Sequence, residues 1–150
     1  MKKGFTLIEL LVVMAILGLL ATIGLVSFRT AQLKGRDARR KHDLEQIQKA
    51  LEMYFNDKGQ YPVPTIPSGG GYWQDTDVVD GALYMKKVPS DPKGGNYCYT
   101  SDVNGGYYKL YAQLENENDP GCLNDGDCLT ERACGAGTYN YGVSSSNESP

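Results

Sequence analysis

Apolar residues fill the chain almost without a break from residue 5 to residue 28, interrupted only by Glu9 and a few small or hydroxyl side chains. Beyond Arg29 they thin to Leu33, Leu44, Ile47, Leu51, Tyr54 and Phe55, spaced so that they share one helical face. The opposite face is charged, with Asp37 and Lys41, and Glu45 and Lys49, each an acid-first pair four residues apart. No proline occurs before Pro62, Gly59 supplies a stop, and Pro62 and Pro64 follow it. The pattern predicts one helix of about 50 residues and ~80 Å, longer than the diameter of so small a domain, so that part of it must project.

The first 24 of these residues would make a helix of ~36 Å, enough to cross a hydrocarbon core of ~30 Å with some tilt. A cleaved secretory signal is the rival reading. Its apolar run is shorter, about 7–15 residues, and it ends at a small-residue site that Ala21-Thr22-Ile23 matches poorly. A retained anchor is the better account.

After Gly59 the chain reads as an extended connection to about residue 87, with Pro67 and Ser68-Gly69-Gly70-Gly71 marking surface loop. Residues 97–100 and 107–114 cluster β-formers on either side of Asn104-Gly105, a hairpin signal, and a further short strand is expected near residues 83–85. From Asn116 onward there is no periodicity, and Ser144-Ser145-Ser146 heads a tail expected to be disordered. The fold class is α+β: a long N-terminal α-helix, with a transmembrane half (residues 5–28) and an amphipathic half (residues 29–57), packed on a small antiparallel β-sheet in a head of residues 58–150.

Charge is unevenly shared. Residues 29–57 hold seven Lys/Arg against five Asp/Glu, and residues 58–150 hold six against twelve. An acidic head argues against nucleic-acid binding, which needs clustered cations. Cys98, Cys122, Cys128 and Cys134 all follow the apolar segment, an even number in a loop-rich region, and predict two disulfides in an oxidising compartment. The last three are each six apart with no His nearby, which does not suit zinc. Four cysteines allow three pairings. The cysteines place the head outside the cytoplasmic membrane, whereas Arg29, Lys34, Arg36, Arg39, Arg40 and Lys41 after the apolar run favour a cytoplasmic location by the positive-inside rule. The conflict resolves towards export if packing offsets those charges.

The opening Lys2-Lys3-Gly4-Phe5-Thr6-Leu7-Ile8-Glu9-Leu10 resembles the leader and first residues of type IV prepilins and type II secretion pseudopilins. Gly59-Gln60-Tyr61-Pro62 and Val88-Pro89-Ser90-Asp91-Pro92 extend the likeness to about residue 115. The resemblance implies a pilin-like fold, a leader of residues 1–4, cleavage between Gly4 and Phe5, and N-methylation of Phe5 by the same prepilin peptidase. It also implies an assembly role for Glu9. The implied partners are that peptidase, copies of the chain and other pilins in a helical filament, an inner-membrane assembly platform, and the membrane before assembly. Two features depart from the family pattern. Val26 stands where many members carry proline, which leaves Gly18 and Gly24 as the weak points of the helix, and no Asp-rich calcium loop stands where the major pseudopilin has one. With three cysteines in the tail instead, the type IV pilus subunit is preferred, and the pseudopilin of a secretion or DNA-uptake system is the alternative. A membrane-anchored binding module that never polymerises is the second.

Glu9 is the site residue that the apolar run isolates, because a carboxylate costs ~2.5–3.5 kcal/mol near a bilayer centre and no local partner is expected for it. Either it reaches the membrane surface or the amine of a neighbouring Phe5 offsets it, as the resemblance implies. Asn124, Asp125, Asp127 and Glu131 are weak calcium candidates whose spacing does not fit an EF-hand. His42, between Lys41 and Asp43, reads as solvated. No phosphate loop or nucleophile-base pair is present, so no enzymatic activity and no cofactor are expected.

Overall fold

The computed structural model describes residues 4–67, 69–75, 81–123, 132–134, 137–146 and 150. Helix α1 runs unbroken over Leu7–Lys58, close to the span that the periodicity predicts. Gly59 ends it at a φ of 71°, where its N–H donates to the Phe55 carbonyl at 2.7 Å. The chain divides into two compact units, Met1–Gly35 and Arg36–Pro150.

In the first unit α1 is long and apolar enough to cross a membrane, and the large apolar side chains described there between Leu7 and Phe28 are exposed. Two of its hydroxyls are satisfied within the helix: Thr22 donates to the Leu19 carbonyl at 2.7 Å and Ser27 to that of Ile23 at 3.4 Å. Such pairing suits a segment with no water around it.

The second unit is built on the apolar stripe of α1, where Leu44, Ile47 and Leu51 are fully buried. Strands β1 (Trp73–Gln74) and β2 (Leu83–Met85) form an antiparallel pair. Strands β3 (Cys98–Ser101), β4 (Tyr108–Ala112), β5 (Arg132–Cys134), β6 (Gly137–Tyr139) and β7 (Tyr141–Ser144) follow. An antiparallel sheet of order β3-β4-β7 places Tyr99 opposite Leu110 and Leu110 opposite Val143, while β5 pairs with β6. The alternation of β4 decides which way each side chain goes. Tyr108, Leu110 and Ala112 join Leu44, Ile47 and Leu51, whereas Tyr111 enters a smaller cluster with Leu123 and Cys134.

Residues 116–150, which show no periodicity, contribute β5, β6 and β7, and at the head of the tail expected to be disordered Ser144 ends β7 and Ser145 is buried with its N–H donating to the Tyr108 carbonyl at 3.2 Å. These strands are short, and cross-strand neighbours rather than their own periodicity hold them. The β3–β4 hairpin forms at Asn104-Gly105 as predicted. Asp102 accepts the N–H groups of Asn104 and Gly106, each at 3.1 Å, and Gly105 at a φ of 67° accepts the Tyr61 N–H at 2.8 Å. A Cβ at Gly105 would stand 2.5 Å from the Tyr61 carbonyl oxygen, which requires glycine there.

Tyrosines supply much of the core. Tyr61, Tyr84, Tyr97, Tyr99, Tyr108 and Tyr111 are buried, and three of their phenols reach partners on α1 or its exit. Tyr97 donates to Asp43 at 2.8 Å, Tyr99 to the Pro62 carbonyl at 2.8 Å, and Tyr61 to Glu52 at 3.1 Å. Burial first, and then the neighbouring carboxylate, raise the Tyr97 and Tyr61 phenols well above their ordinary range.

The charged face of α1 is not the solvated face that its pattern suggests. Asp37 and Arg40 are each 2% exposed. Arg40 donates to Asp91 at 2.6 Å, to Asp37 at 2.7 Å and to Glu115 at 2.7 Å. Arg36 grips the same Glu115 through two bonds of 2.7 Å, and Lys93 adds a contact of 2.8 Å. Asp37 also accepts the N–H groups of Glu115 and Asn116, at 3.0 and 2.8 Å, and Lys41 pairs with Asp119 rather than Asp37. Hydrogen bonds from Arg36 hold the Glu115 carboxyl far below its ordinary value despite burial. Burial pushes the Asp91 carboxyl up, but the bonds from Arg40 and the Lys93 N–H outweigh it and leave it lowered.

Cys98 and Cys134 are disulfide-bonded across 36 residues, tying β3 to β5, and Cys122 is disulfide-bonded too. Cys128 lies outside the described residues.

Three outcomes test this packing. Arg40→Met leaves three carboxylates crowded without their shared cation, and should destabilise the head by ~3–5 kcal/mol. Denaturant unfolding of detergent-solubilised protein can be followed through Trp73, which is 4% exposed and the chain's one tryptophan. Because the folded values of Glu115 and Asp91 are lowered, their stabilisation is full above the ordinary values of 4.5 and 3.8 and is lost as pH falls below them. The Trp73 midpoint should therefore drop on acidification through that window, with a shallower drop in Glu115→Gln. Non-reducing peptide mapping should recover Cys98 with Cys134 and Cys122 with Cys128, and Cys98→Ser should cost ~2–4 kcal/mol.

Candidate functional site

Gly4, Phe5 and Thr6 precede α1, and Thr6 begins it: the Leu10 N–H donates to the Thr6 carbonyl at 3.3 Å. Glu9 stands three residues on and bends back. Its Oε2 accepts the Thr6 N–H at 2.9 Å and the Thr6 hydroxyl at 2.6 Å, while the Thr6 Oγ1 accepts the Glu9 N–H at 3.3 Å. This is a reciprocal capping box, which satisfies amide groups that the first helical turn leaves without partners. The expectation that Glu9 has no local partner is corrected here. The signal was present as Thr6-Leu7-Ile8-Glu9, a Thr-x-x-Glu spacing ahead of an apolar run.

The carboxylate is used on one side only. Oε2 takes both bonds from Thr6, and Oε1 takes none among the described residues. Around it Phe5 and Leu7 are each 80% exposed. A Cβ at Gly4 would meet nothing within 4 Å, and the same holds at Gly18 and Gly24. The fold of a single chain therefore does not require glycine at these three positions.

The other sequence candidates separate from this end. Cys98, Cys122 and Cys134 belong to the second unit. Asn124, Asp125, Asp127 and Glu131 lie outside the described residues. His42 is exposed and shares a 2.8 Å contact with Gln46. Among the described residues no group of three or more His, Cys, Asp or Glu could hold a metal ion. A cleft of about 350 Å³ in the head is walled by Ile47, Val88, Tyr97, Tyr99 and Tyr139, with no carboxylate, lysine, arginine or histidine among the described residues that line it.

Comparison with known proteins places both parts of the chain. Residues 1–25 match the prokaryotic N-terminal methylation motif, and residues 29–128 match type II secretion system protein G. The chain is 32% identical over 134 residues to the type II secretion system core protein G of Pseudomonas aeruginosa, covering 84% of this chain and 92% of that protein. It is 26% identical over 125 residues to the type IV major pilin protein PilE1 of Neisseria gonorrhoeae, covering 77% of this chain and 72% of that one. It is also 37% identical over 60 residues to the type IV major pilin protein PilA of Myxococcus xanthus, but that match takes in 40% of this chain and only 27% of the relative. No solved structure matches the chain significantly. The protein G match takes in residues 29–128 and the protein G relative is covered over nearly its whole length, so the secretion alternative is better supported than the pilus that the three tail cysteines suggested. The chain belongs to the type IV pilin and pseudopilin family, as a structural, non-catalytic subunit of a filamentous or secretion-related surface structure with a type II secretion protein G domain.

Proposed function

We propose that this chain is a pseudopilin that is cleaved between Gly4 and Phe5, N-methylated at Phe5, held in the cytoplasmic membrane by α1 with its head outside, and polymerised into a secretion filament. The observation that carries the reading is the protein G match over residues 29–128, joined to a methylation motif over residues 1–25.

The N-terminal geometry supplies a mechanism. A glycine that the fold does not need at position 4 is explained by a peptidase that must reach the backbone there. Glycines at 18 and 24 cost an isolated helix up to ~1 kcal/mol each. They make sense where a second helix comes close, as when packed helices replace lipid in a filament core. The prepilin peptidase, other copies of the chain, other pilins and the assembly platform are the partners this demands.

Glu9 serves two states. In one subunit it caps α1 through Thr6, which lowers the cost of carrying a carboxylate beside lipid. On assembly its unused Oε1 accepts from the methylated Phe5 amine of a neighbour, so the cap need not open. The export orientation also fits the packing of the head, since Arg36, Arg40 and Lys41 are engaged by Glu115, Asp91 and Asp119 and no longer stand as free cations beside the apolar segment.

Glu9→Gln separates cap from charge, because glutamine still completes a capping box. Cleaved, membrane-inserted subunit should accumulate with Phe5 N-methylated by mass spectrometry. Sheared filaments should fall about tenfold or more, equivalent to ~1.4 kcal/mol of lost docking energy. Normal filament numbers would show that charge at Glu9 does not drive assembly. Loss of long surface pili on gene deletion, with secretion intact, would return the reading to the pilus.

A further inference from the structure

Six cationic side chains stand between Arg29 and Lys41 on α1, just after the apolar segment, and the structure treats them unequally. Arg36, Arg40 and Lys41 are spoken for by carboxylates of the head, and Arg39 approaches Asp43 at 3.8 Å. Arg29 and Lys34 are exposed, and among the described residues no carboxylate pairs with either. The one acid within helical reach of Lys34 is Asp37, which is buried on Arg40 and on the N–H groups of Glu115 and Asn116.

Both residues belong to the unit Met1–Gly35, so their placement follows from helix geometry alone. Arg29 comes directly after the last apolar residue, Phe28, and Lys34 stands five residues on. Five residues are ~7.5 Å along the axis and about 140° around it. Each polar layer of a bilayer is about 5–8 Å deep. Both cations therefore fall within or just beyond that layer, on different sides of the helix, with stems long enough to lay their charges back towards it.

We infer that Arg29 and Lys34 form a collar that binds the phosphates of anionic phospholipids in the leaflet from which the head emerges. The inference rests on the membrane-inserted reading above. The angular separation selects the ligand: one acidic protein surface cannot lie against two sides of a helix at once, whereas lipid head groups surround it. Each cation near an anionic surface favours association about fivefold.

The test uses the full chain reconstituted in phosphatidylcholine bilayers carrying spin-labelled phosphatidylglycerol or spin-labelled phosphatidylcholine, and reads the motionally restricted fraction of each label. The expected result is a several-fold preference for phosphatidylglycerol that falls at high salt and is lost in the double variant Arg29→Gln, Lys34→Gln. Arg29→Lys with Lys34→Arg should retain it. Alkaline extraction and Trp73 fluorescence should be unchanged in every variant, showing that insertion and head are intact. Equal restriction of the two labels in the native chain, or an undiminished preference in the double glutamine variant, would overturn the collar while leaving insertion standing. Release of the native chain by alkali would overturn the inserted reading itself, and the collar with it.

Discussion

Arg40 is buried to within 2% of its surface, and three carboxylates converge on it: Asp37 from its own helix, Asp91 from the loop before β3, and Glu115 from the chain just after β4. With Arg36 and Lys93 also on Glu115, three cations face three acids, so a costly burial of charge is balanced locally. Such a network adds little net stability over well-packed apolar groups, but removing one member leaves the others uncompensated. Its effect is to specify position. Apolar contacts around Leu44, Ile47 and Leu51 would tolerate some sliding of a sheet along a helix. A guanidinium that must reach two separate loops, and an Asp37 carboxylate that must meet the N–H groups of Glu115 and Asn116, do not.

The same network decides what the helix presents elsewhere. By engaging Arg36, Arg40 and Lys41, the acidic head consumes much of the positive charge that follows the apolar segment. The acidity of the head, which looked like a general surface property, is in part a set of specific counter-ions. Folding of the head and the electrostatics of the helix beyond the apolar segment are thus coupled through the same side chains.

At the other end, a capping box with Thr6 places the Glu9 carboxylate in a defined conformation. Glu9 is held by Thr6 with one oxygen left over, and in the assembly proposed above that pre-orientation would limit the entropy lost on docking. A family of structural subunits needs no pocket chemistry, and the head accordingly devotes many of its tyrosines to a core in which the Tyr61, Tyr97 and Tyr99 phenols are bonded to helix α1 and its exit.

The sequence by itself determined the local and one-dimensional features. Helix α1, its stop at Gly59, its apolar and one-sided halves and the β3–β4 hairpin were all legible, because periodicity, proline placement and Asn104-Gly105 act over a few residues. The Thr6–Glu9 cap was equally local and could have been read from its spacing. What lies between distant residues was not legible. The partners of Arg40 stand 51 and 75 residues away, and Asp37, which pairs plausibly with Lys41 four residues on, is instead buried against the chain at Glu115. Strands β5, β6 and β7 are three or four residues long with no alternation of their own; β7 is held by pairing with β4, β5 and β6 pair with each other, and the Cys98–Cys134 bond ties β5 to β3. Which cysteine meets which, and which charges are buried, depend on contacts across the whole head, and only the tertiary structure settles them.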